Sequence, residues 1–297
     1  MVQQTPISFS SSGTTCRGAL YAPTGVDEPP IVVLAHGFGG ERTWRLPAFA
    51  RRFAERDVAA LVFDYRTFGD SDGTPRNLIS PRRHLEDWRA AVAHVRSRPD
   101  VDGNRIALWG TSFSGGHVVA TAVRDPDISA IVAQVPFTDG LATTGALVRR
   151  GGASYVRGAI AGAARDLARA TLGRGPYYVP IVGDPDAFAA LNTPDAKPGF
   201  ESIVPDDATF RNECPGRILA TVPSYRPIAA ADGVSCPSFV VEAAQDTIVP
   251  PWTVERLASK LDDVERLRLP VGHFDVYQGD VFERVVDRQI AFLERHL

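Results

Sequence analysis

The stretch LWGTSFSGG at 108–116 places two serines in a cluster of small residues. The apolar run that ends at Gly110 is typical of a strand, and the residues after Ser112 have the pattern of a helix. A serine on a sharp strand-to-helix turn with small neighbours is the arrangement G-x-S-x-G of a nucleophile elbow, although Ser114 takes the place of the second glycine. The stretch therefore predicts Ser112 as a nucleophile. A glycine-rich turn with a serine cap is the alternative, and Ser114, inside the first helical turn, is the weaker candidate nucleophile.

A serine nucleophile needs a base that accepts its proton, and that base needs an acid that orients it. Of the six histidines, His273 lies in a loop after the last predicted strand and fits the chain order serine, acid, histidine. His36 follows a buried strand and is predicted to brace its loop. The other histidines lie in predicted helices or at the C-terminal tail and are not candidates for the base: His84, His94, His117 and His296.

Three aspartates compete for the role of the acid. Asp246 lies on the turn after a predicted strand, 27 residues before His273. Asp139 follows the predicted strand in ISAIVAQVPF, and Asp275 is two residues from His273. Aspartate is common in turns for structural reasons alone, so Asp246 is informative only together with the serine and the histidine. We predict Asp246 as the acid and keep Asp139 and Asp275 as alternatives.

Acyl transfer also requires donors for the negative charge that develops on the substrate oxygen. The segment HGFGG at 36–40 follows the apolar run IVVLA, so its backbone N–H groups are expected close to Ser112. The amide directly after the nucleophile is the second expected donor. We therefore predict an oxyanion hole formed by the backbone N–H groups of Phe38 and Phe113.

The elements that must position these residues alternate along the chain. After an opening hairpin, short apolar runs alternate with segments of helical periodicity. This alternation predicts an α/β fold with a mostly parallel, doubly wound sheet, since parallel neighbours are joined by crossover helices. Ligands of such sheets bind at the carboxyl ends of the strands.

The alternation stops between residues 138 and 235, and a structureless loop of that length is not expected in a compact domain. We predict a core of residues 1–137 and 236–297 and a helical cap insertion of residues 138–235 over the strand ends. An insertion that only adds stability or an oligomer surface is the alternative. Four aromatic residues of the insertion are predicted to line an apolar acyl or alcohol pocket, with simple packing as the alternative for each: Tyr177, Tyr178, Phe188 and Phe200.

The composition excludes several functional classes. The chain of 297 residues is 44% hydrophobic and 23% charged, with a net charge of −3, which is typical of a soluble globular protein and favours neither nucleic acid nor anionic membranes. We find no signal-peptide pattern and no apolar run near the roughly 20 residues of a membrane span.

The three cysteines have neither zinc nor disulfide spacing, so a cytoplasmic location is predicted: Cys16, Cys214 and Cys236. Motifs for phosphate, dinucleotide or metal binding are absent, so no cofactor and no metal are predicted. A homodimer is compatible with the sequence.

Over essentially its full length the chain resembles the α/β-hydrolase superfamily. It is similar to bacterial hydrolases related to dienelactone hydrolase-like and polyketide-transferase-like proteins in these segments: LAHGFGG, FDYRTFGDSDG, WGTSFSGG, EAAQDTIVP and GHFDVYQG, with FRNECPGRI and SYRPIAAADGVSCPSFVV in the insertion. The resemblance implies an α/β-hydrolase fold with Ser112 as nucleophile, Asp246 as acid and His273 as base. It also implies the amides of Phe38 and Phe113 as oxyanion donors.

Two residues depart from the usual pattern of that superfamily. Ser114 replaces a glycine of the elbow, and Thr67 stands where DYRGFG-like loops have glycine, which is expected to stiffen that loop. Neither change removes a catalytic group. The resemblance also implies that a dehalogenase is excluded, because it would have aspartate at the elbow, and that the usual dienelactone hydrolase, which has cysteine there, is excluded too.

The sequence thus predicts a serine hydrolase that cleaves a carboxylic ester or thioester in a small-molecule substrate through an acyl-enzyme, without a cofactor. The superfamily hosts many reactions, so the fold does not select the substrate. Acyl transfer or peptide cleavage on the same residues is one alternative. A non-catalytic binding protein with a hydrolase fold is the other, and the intact serine, acid and histidine argue against it.

Overall fold

The computed structural model of the protein describes residues 1–208 and 210–297. Its main sheet has eight strands in the order β1-β2-β4-β3-β5-β6-β9-β10, and β7 and β8 form a separate two-stranded ribbon. The strands are β1 Val2–Ser11, β2 Thr14–Pro23, β3 Ile31–Ala35, β4 Ala59–Phe63, β5 Ile106–Thr111, β6 Ala130–Gln134, β7 Tyr178–Val179, β8 Cys214–Pro215, β9 Ser238–Ala243 and β10 Val264–Leu269. The hairpin β1–β2 is antiparallel, β2 is antiparallel to β4, and the other neighbours in the sheet are parallel. The predicted mostly parallel sheet is confirmed.

Helices connect the parallel strands. They are α1 Leu46–Ala54, α2 Pro81–Arg96, α3 Phe113–Ala122, α4 Gly140–Thr171, α5 Ala196–Ile203, α6 Ile218–Thr221, α7 Pro251–Ala258 and α8 Gly279–His296. Short 3-10 segments cover Val222–Ser224, Pro227–Gly233 and Asp275–Tyr277. Among the described residues, no helix is both long enough and apolar enough to cross a membrane.

The central strands are buried on both faces, as their continuous apolar sequences predict. All five residues of β3 are fully buried. Because successive side chains point to opposite faces, Val33 belongs to one hydrophobic cluster and Val32 and Leu34 belong to the other. Burying one such side chain contributes about 1.5–3 kcal/mol. The sheet is therefore the middle layer of the predicted doubly wound fold.

Each hydrophobic cluster is closed by a layer of helices. On one face, α1 and α8 supply the aromatic side chains of Phe49 and Phe282, whose ring centroids are 4.8 Å apart. On the other face, α2, α3 and α7 pack against the sheet through residues such as Trp88, Val118 and Leu257. The helices thus lie on both sides of the sheet and leave its carboxyl edge free for a site.

The segment of residues 138–235 connects β6 to β9 and contains α4, α5, α6 and the β7–β8 ribbon. Its longest helix, α4, is interrupted at Gly152, where φ is 56° and ψ is −151°. An ion pair holds the second half of α4 to the following loops: the fully buried Asp166 accepts hydrogen bonds from the side chain of Arg217 at 2.6 and 3.0 Å. The same carboxylate accepts the backbone N–H of Tyr177 at 2.9 Å. The division of the chain into a core and a cap stays a prediction.

A chain of buried polar side chains lies between the sheet and α8, under the site. Trp109 of β5 donates its indole N–H to Gln289 Oε1 of α8 at 2.9 Å, and Gln289 Nε2 donates to Gln134 Oε1 at 2.9 Å. Gln134 Nε2 in turn donates to Oγ1 of Thr111, and Thr111 is the last residue of β5. Gln289, Trp109 and Gln134 are fully buried, so these groups depend on one another for their hydrogen bonds.

We expect Gln289→Met to destabilise the protein. Methionine fills a similar volume, but the indole N–H of Trp109 and the amide oxygen of Gln134 lose their partner, and each unpaired buried group costs about 1–3 kcal/mol. Urea denaturation measures the change in the free energy of unfolding. The matched control is Gln3→Met on the exposed face of β1, which should leave that free energy unchanged. Equal stabilities of the two variants would contradict the prediction.

Candidate active site

Ser112 lies on a strained turn between β5 and α3. Its backbone has φ 55° and ψ −119°, a conformation that non-glycine residues rarely adopt. Hydrogen bonds on both sides hold this conformation: the N–H of Ser112 donates to Gln134 O at 2.8 Å, and its carbonyl oxygen accepts from the N–H groups of Gly115 and Phe137. The turn therefore projects the Ser112 hydroxyl from the carboxyl edge of the sheet.

The small residues around Ser112 are required by close backbone contacts. A Cβ atom on Gly110 would overlap the carbonyl oxygen of Ser114, and one on Gly116 would overlap the carbonyl oxygen of Phe137. In both cases the obstacle is backbone, which cannot move aside as a flexible side chain can. The glycines of the LWGTSFSGG stretch thus let β5, α3 and the chain after β6 approach one another.

Ser112, His273 and Asp246 form one line of hydrogen bonds. His273 Nε2 is 3.0 Å from Ser112 Oγ, and His273 Nδ1 is 2.6 Å from Asp246 Oδ2. His273 is 2% exposed, and Asp246 is 8% exposed. With the proton on Nδ1, the imidazole donates to the carboxylate and presents a lone pair to the serine hydroxyl. This is the geometry that activates a serine nucleophile.

Two loops bring the acid and the histidine together. Strands β9 and β10 are parallel neighbours, and their loops stay paired beyond the sheet through bonds from Ala244 N to Leu269 O and from Gln245 N to Val271 O. The other oxygen of Asp246, Oδ1, accepts the backbone N–H groups of the two residues that follow Thr247, each at 2.8 Å. Both carboxylate oxygens are thereby held in a fixed orientation.

The two alternative aspartates have structural partners elsewhere. Asp139 is the N-cap of α4, where Oδ1 accepts from Leu141 N at 3.0 Å, and its carboxylate also pairs with Arg226 at 2.8 Å. Asp275 Oδ2 accepts the N–H of Gly272 at 2.7 Å and so closes the turn around His273. Of the three candidates, Asp246 is the one that contacts the imidazole.

Ser114 is fully buried and its hydroxyl is hydrogen-bonded to Tyr65 OH at 2.8 Å. Tyr65 OH also accepts the indole N–H of Trp88 at 2.9 Å. A second serine at the elbow is therefore explained by a polar partner on the neighbouring loop. Sequence reasoning missed this partner because Tyr65 lies 49 residues before Ser114.

The predicted oxyanion donors lie beside Ser112. A Cβ atom built on Gly37 would be 3.5 Å from Ser112 Oγ, which places the 36–40 loop directly against the hydroxyl. The rings of Phe38 and Phe113 meet edge to face with centroids 5.4 Å apart. Within residues 1–208 and 210–297, neither backbone N–H of these two residues donates to a protein acceptor, so both are free to receive an oxyanion.

His36 stabilises the 36–40 loop from its buried side. Its Nδ1 donates to Gly37 O at 3.0 Å, and its ring packs against Tyr65 with centroids 4.7 Å apart. Burial lowers the pKa of His36 to about 4, so the ring is neutral near pH 7. Burial also raises the pKa of the adjacent Asp64 to about 7. Arg42 pairs with Asp64 at 3.0 Å and fixes the loop on its other side.

A pair of buried histidines packs against Phe113. His84 Nδ1 and His117 Nε2 share a hydrogen bond of 3.2 Å, and His117 Nδ1 shares one of 2.6 Å with Tyr225 OH. Burial lowers the pKa of His117 to about 3, so the pair stays neutral. These bonds tie the segment of residues 138–235 to the helix of the elbow. The residues are 33 and 108 positions apart in the chain, and no local pattern links them.

A cavity of about 460 Å³ opens beside Ser112. Its wall is formed by Phe38, Phe113, the insertion and the Ile248–Val249 turn, and Tyr155 is the aromatic residue that the insertion contributes. Of the four aromatic residues predicted for an acyl or alcohol pocket, three line neither this cavity nor a smaller one beside Ser112, whereas Phe200 lines the smaller one. Tyr177 accepts from Arg165, Tyr178 donates to Arg76 O, Phe188 packs on Tyr155, and Phe200 packs on Trp44. The hydroxyls of Tyr177 and Tyr178 and the ring of Phe188 are therefore occupied by contacts other than the cavity wall.

Comparison with known proteins assigns the chain to a family. The sequence model of the alpha/beta hydrolase family matches residues 32–288, which include the elbow and both loops of the site. The chain belongs to the α/β hydrolase family. The predicted fold class is thereby confirmed.

Three relatives of this α/β hydrolase illustrate the range of the family. The quorum-quenching protein AidA of Acinetobacter baumannii is 38% identical over 99% of this chain and 96% of its own length. The thiohydrolase apmlB of Arthrinium phaeospermum is 30% identical over 72% of this chain and 69% of its own. The crystal structure of the α/β hydrolase GrgF from Penicillium sp. sh18 superposes with a TM-score of 0.83 at 26% identity and covers 99% of both chains.

We expect Gly110→Ala to destabilise this α/β hydrolase, because the added methyl group meets the backbone of Ser114. Forced overpacking of this kind typically costs about 1–3 kcal/mol. The free energy of unfolding in urea measures the effect. Gly175→Ala is the control, since a Cβ at Gly175 meets no atom within 4 Å. A Gly110→Ala protein as stable as that control would refute the close approach of β5 and α3.

Proposed function

We propose that the protein is a serine hydrolase that cleaves a carboxylic ester or thioester through an acyl-enzyme on Ser112. The observation that carries the proposal is the continuous hydrogen-bonded line from Ser112 Oγ through His273 to Asp246. Two free backbone N–H groups beside the same hydroxyl add the donors that acyl transfer requires. Family membership agrees with this chemistry.

In the proposed acylation, Ser112 Oγ attacks the carbonyl carbon while His273 Nε2 accepts the hydroxyl proton. The N–H groups of Phe38 and Phe113 stabilise the oxyanion of the tetrahedral intermediate. The bond to the leaving group then breaks, and His273 donates its proton to the departing oxygen or sulfur. Asp246 stabilises the imidazolium and keeps the proton of the neutral ring on Nδ1.

In the proposed deacylation, His273 accepts a proton from water as the water attacks the acyl-enzyme. A second oxyanion forms at the same two amides and collapses, with transfer of the proton back to Ser112 Oγ. The carboxylic acid leaves and the free enzyme is restored. No cofactor or metal is required at any step.

Acyl transfer is the second candidate function. The relative GrgF is similar over nearly the full chain, and the polyketide transferase grgF of a Penicillium species is 28% identical over 96% of this chain. Transfer differs from hydrolysis only in the nucleophile that resolves the acyl-enzyme. Added alcohol acceptors therefore distinguish the two, since a transferase forms a new ester and a hydrolase forms the free acid.

We further propose that the segment of residues 138–235 is a cap over the site and that the protein works in the cytoplasm. Support for the cap is the wall that α4 and α6 contribute to the cavity beside Ser112. Support for the compartment is that the three cysteines are buried and unpaired: Cys16, Cys214 and Cys236. A small-molecule ester or thioester is the proposed substrate, with neither nucleic acid nor membrane as a partner, and a homodimer stays a prediction.

Ser112→Ala is expected to abolish both ester turnover and covalent labelling by a fluorophosphonate probe, because the probe reacts with an activated serine. Ser114→Ala should keep the labelling, since the Ser114 hydroxyl is buried against Tyr65. In-gel fluorescence of the purified proteins measures both. Labelling that persists in Ser112→Ala would show that another residue is the nucleophile.

Asp246→Asn is expected to lower kcat by up to about 10⁴-fold, because an amide at this position favours the wrong imidazole tautomer. Asp139→Asn should lower it little, since asparagine can still cap α4 and no contact with His273 is lost. Steady-state kinetics on one ester measures both variants. A large loss in Asp139→Asn alone would transfer the role of the acid to Asp139.

A further inference from the structure

Two cavities of very different size meet at Ser112. The larger, described above, has about 460 Å³. The smaller has about 40 Å³ and is lined by residues that include Trp44 and Phe274. Ser112 and Phe38 line both. A carbonyl carbon bonded to Ser112 Oγ would therefore have one substituent in each cavity.

His273 determines which substituent enters which cavity. The leaving group must receive a proton from His273 Nε2, so its reacting atom has to lie next to that imidazole. His273 lines the small cavity and not the large one. The leaving group consequently occupies the small cavity, and the acyl chain occupies the large one.

The large cavity has an apolar wall. In the part of the chain that the structure describes, none of its lining side chains is charged. Apart from Ser112, its polar side chains are Thr143, Thr144 and Tyr155, and the Tyr155 hydroxyl already donates to Ala190 O. A cavity of about 150 Å³ is sufficient to bind benzene, so 460 Å³ accommodates an acyl chain of about ten or more carbon atoms.

One face of the second half of α4 supplies much of that wall. The lining positions recur with helical spacing and consist of aliphatic residues: Val156, Ala159, Ile160, Ala163, Ala164 and Leu167. Ile160 and Leu167 are 65% and 43% exposed, so the cavity opens to solvent along this helix. A chain that enters here removes both exposed side chains from water, which favours a long apolar group.

The small cavity is bounded by aromatic side chains that pack on one another. Trp44 and Phe200 meet edge to face with centroids 5.5 Å apart, and Phe200 meets Phe274 in the same way at 6.2 Å. Its 40 Å³ is less than a tenth of the 460 Å³ of the large cavity. Glu41 also lines it, and a carboxylate there disfavours a negatively charged leaving group.

From these observations we infer that the substrate is an ester or thioester that joins a long, uncharged aliphatic acyl group to a compact leaving group without negative charge. The inference rests on the proposed function and adds to it the substrate class and the position of each half. Cleavage forms the Ser112 Oγ–acyl bond, breaks the acyl–leaving-group bond and moves the serine proton through His273 to the leaving atom. Water then releases the acid.

The test compares esters that differ in one half at a time. Ethyl acetate, ethyl hexanoate and ethyl decanoate vary the acyl chain, and benzyl decanoate varies the leaving group, with kcat/KM measured by titration of the released acid. We expect kcat/KM to rise at least about 100-fold from acetate to decanoate, because each added methylene is buried. Benzyl decanoate should be cleaved at least about tenfold more slowly than ethyl decanoate. A flat profile, or a preference for acetate or for the benzyl ester, would overturn the inference.

A matched pair of variants locates the acyl chain. Ala159→Trp places a large ring on the cavity wall, and Ala168→Trp places the same ring on an exposed position of α4 that does not line the cavity. We expect the ratio of kcat/KM for decanoate to that for acetate to fall at least about tenfold in Ala159→Trp alone. An unchanged ratio in Ala159→Trp would mean that the chain binds elsewhere. The wild-type ester series decides the substrate class even if a variant does not fold.

The failure of this inference is distinct from the failure of the proposed function. If the wild-type protein neither cleaves any of these esters nor reacts with a fluorophosphonate at Ser112, the proposed function is wrong. If it reacts at Ser112 but does not prefer the long acyl chain with the small leaving group, the inference alone is wrong.

Discussion

The backbone of Ser112 at φ 55° is the constraint that orders the site around it, since a conformation of this kind costs about 1–3 kcal/mol and persists only where its surroundings hold it. The N–H of Ser112 is bonded to the end of β6, and its carbonyl oxygen is bonded to the start of the next loop. Three chain segments therefore converge on one residue. The glycines beside it are a consequence of that convergence, because a Cβ at Gly110 or Gly116 would occupy space that backbone already fills.

Much of this arrangement could be predicted from the sequence because it is encoded locally. The continuous apolar run of β3 and the helical spacing in α8 indicate their structures by period alone. The order of Ser112, Asp246 and His273 along the chain, each after a strand, was sufficient to propose that they meet. The choice among the aspartates depended on the same order, and the contact between Asp246 and the imidazole agrees with it.

The features that the sequence does not predict depend on contacts between distant segments of the chain. Nothing near Ser114 in the sequence indicates that Tyr65 will bond its hydroxyl, and nothing near His117 indicates Tyr225. Two of the insertion's aromatic residues that the sequence predicts at the substrate pocket, Tyr177 and Phe188, pack its elements together instead. Composition shows that a segment is rich in aromatic residues, whereas the tertiary structure decides which of them remain available.

The proposed oxyanion donors are the backbone N–H groups of Phe38 and Phe113. The side chains of the same two residues form part of the cavity wall. An N–H group is present whatever non-proline side chain stands at a position. Ile248 and Val249 are similar, since their amides hold Asp246 while their side chains face the cavity. At these four positions the backbone thus serves the proposed reaction, and the side chain contacts the substrate cavity. During divergence within a family, such positions can change what is accepted without deleting what reacts.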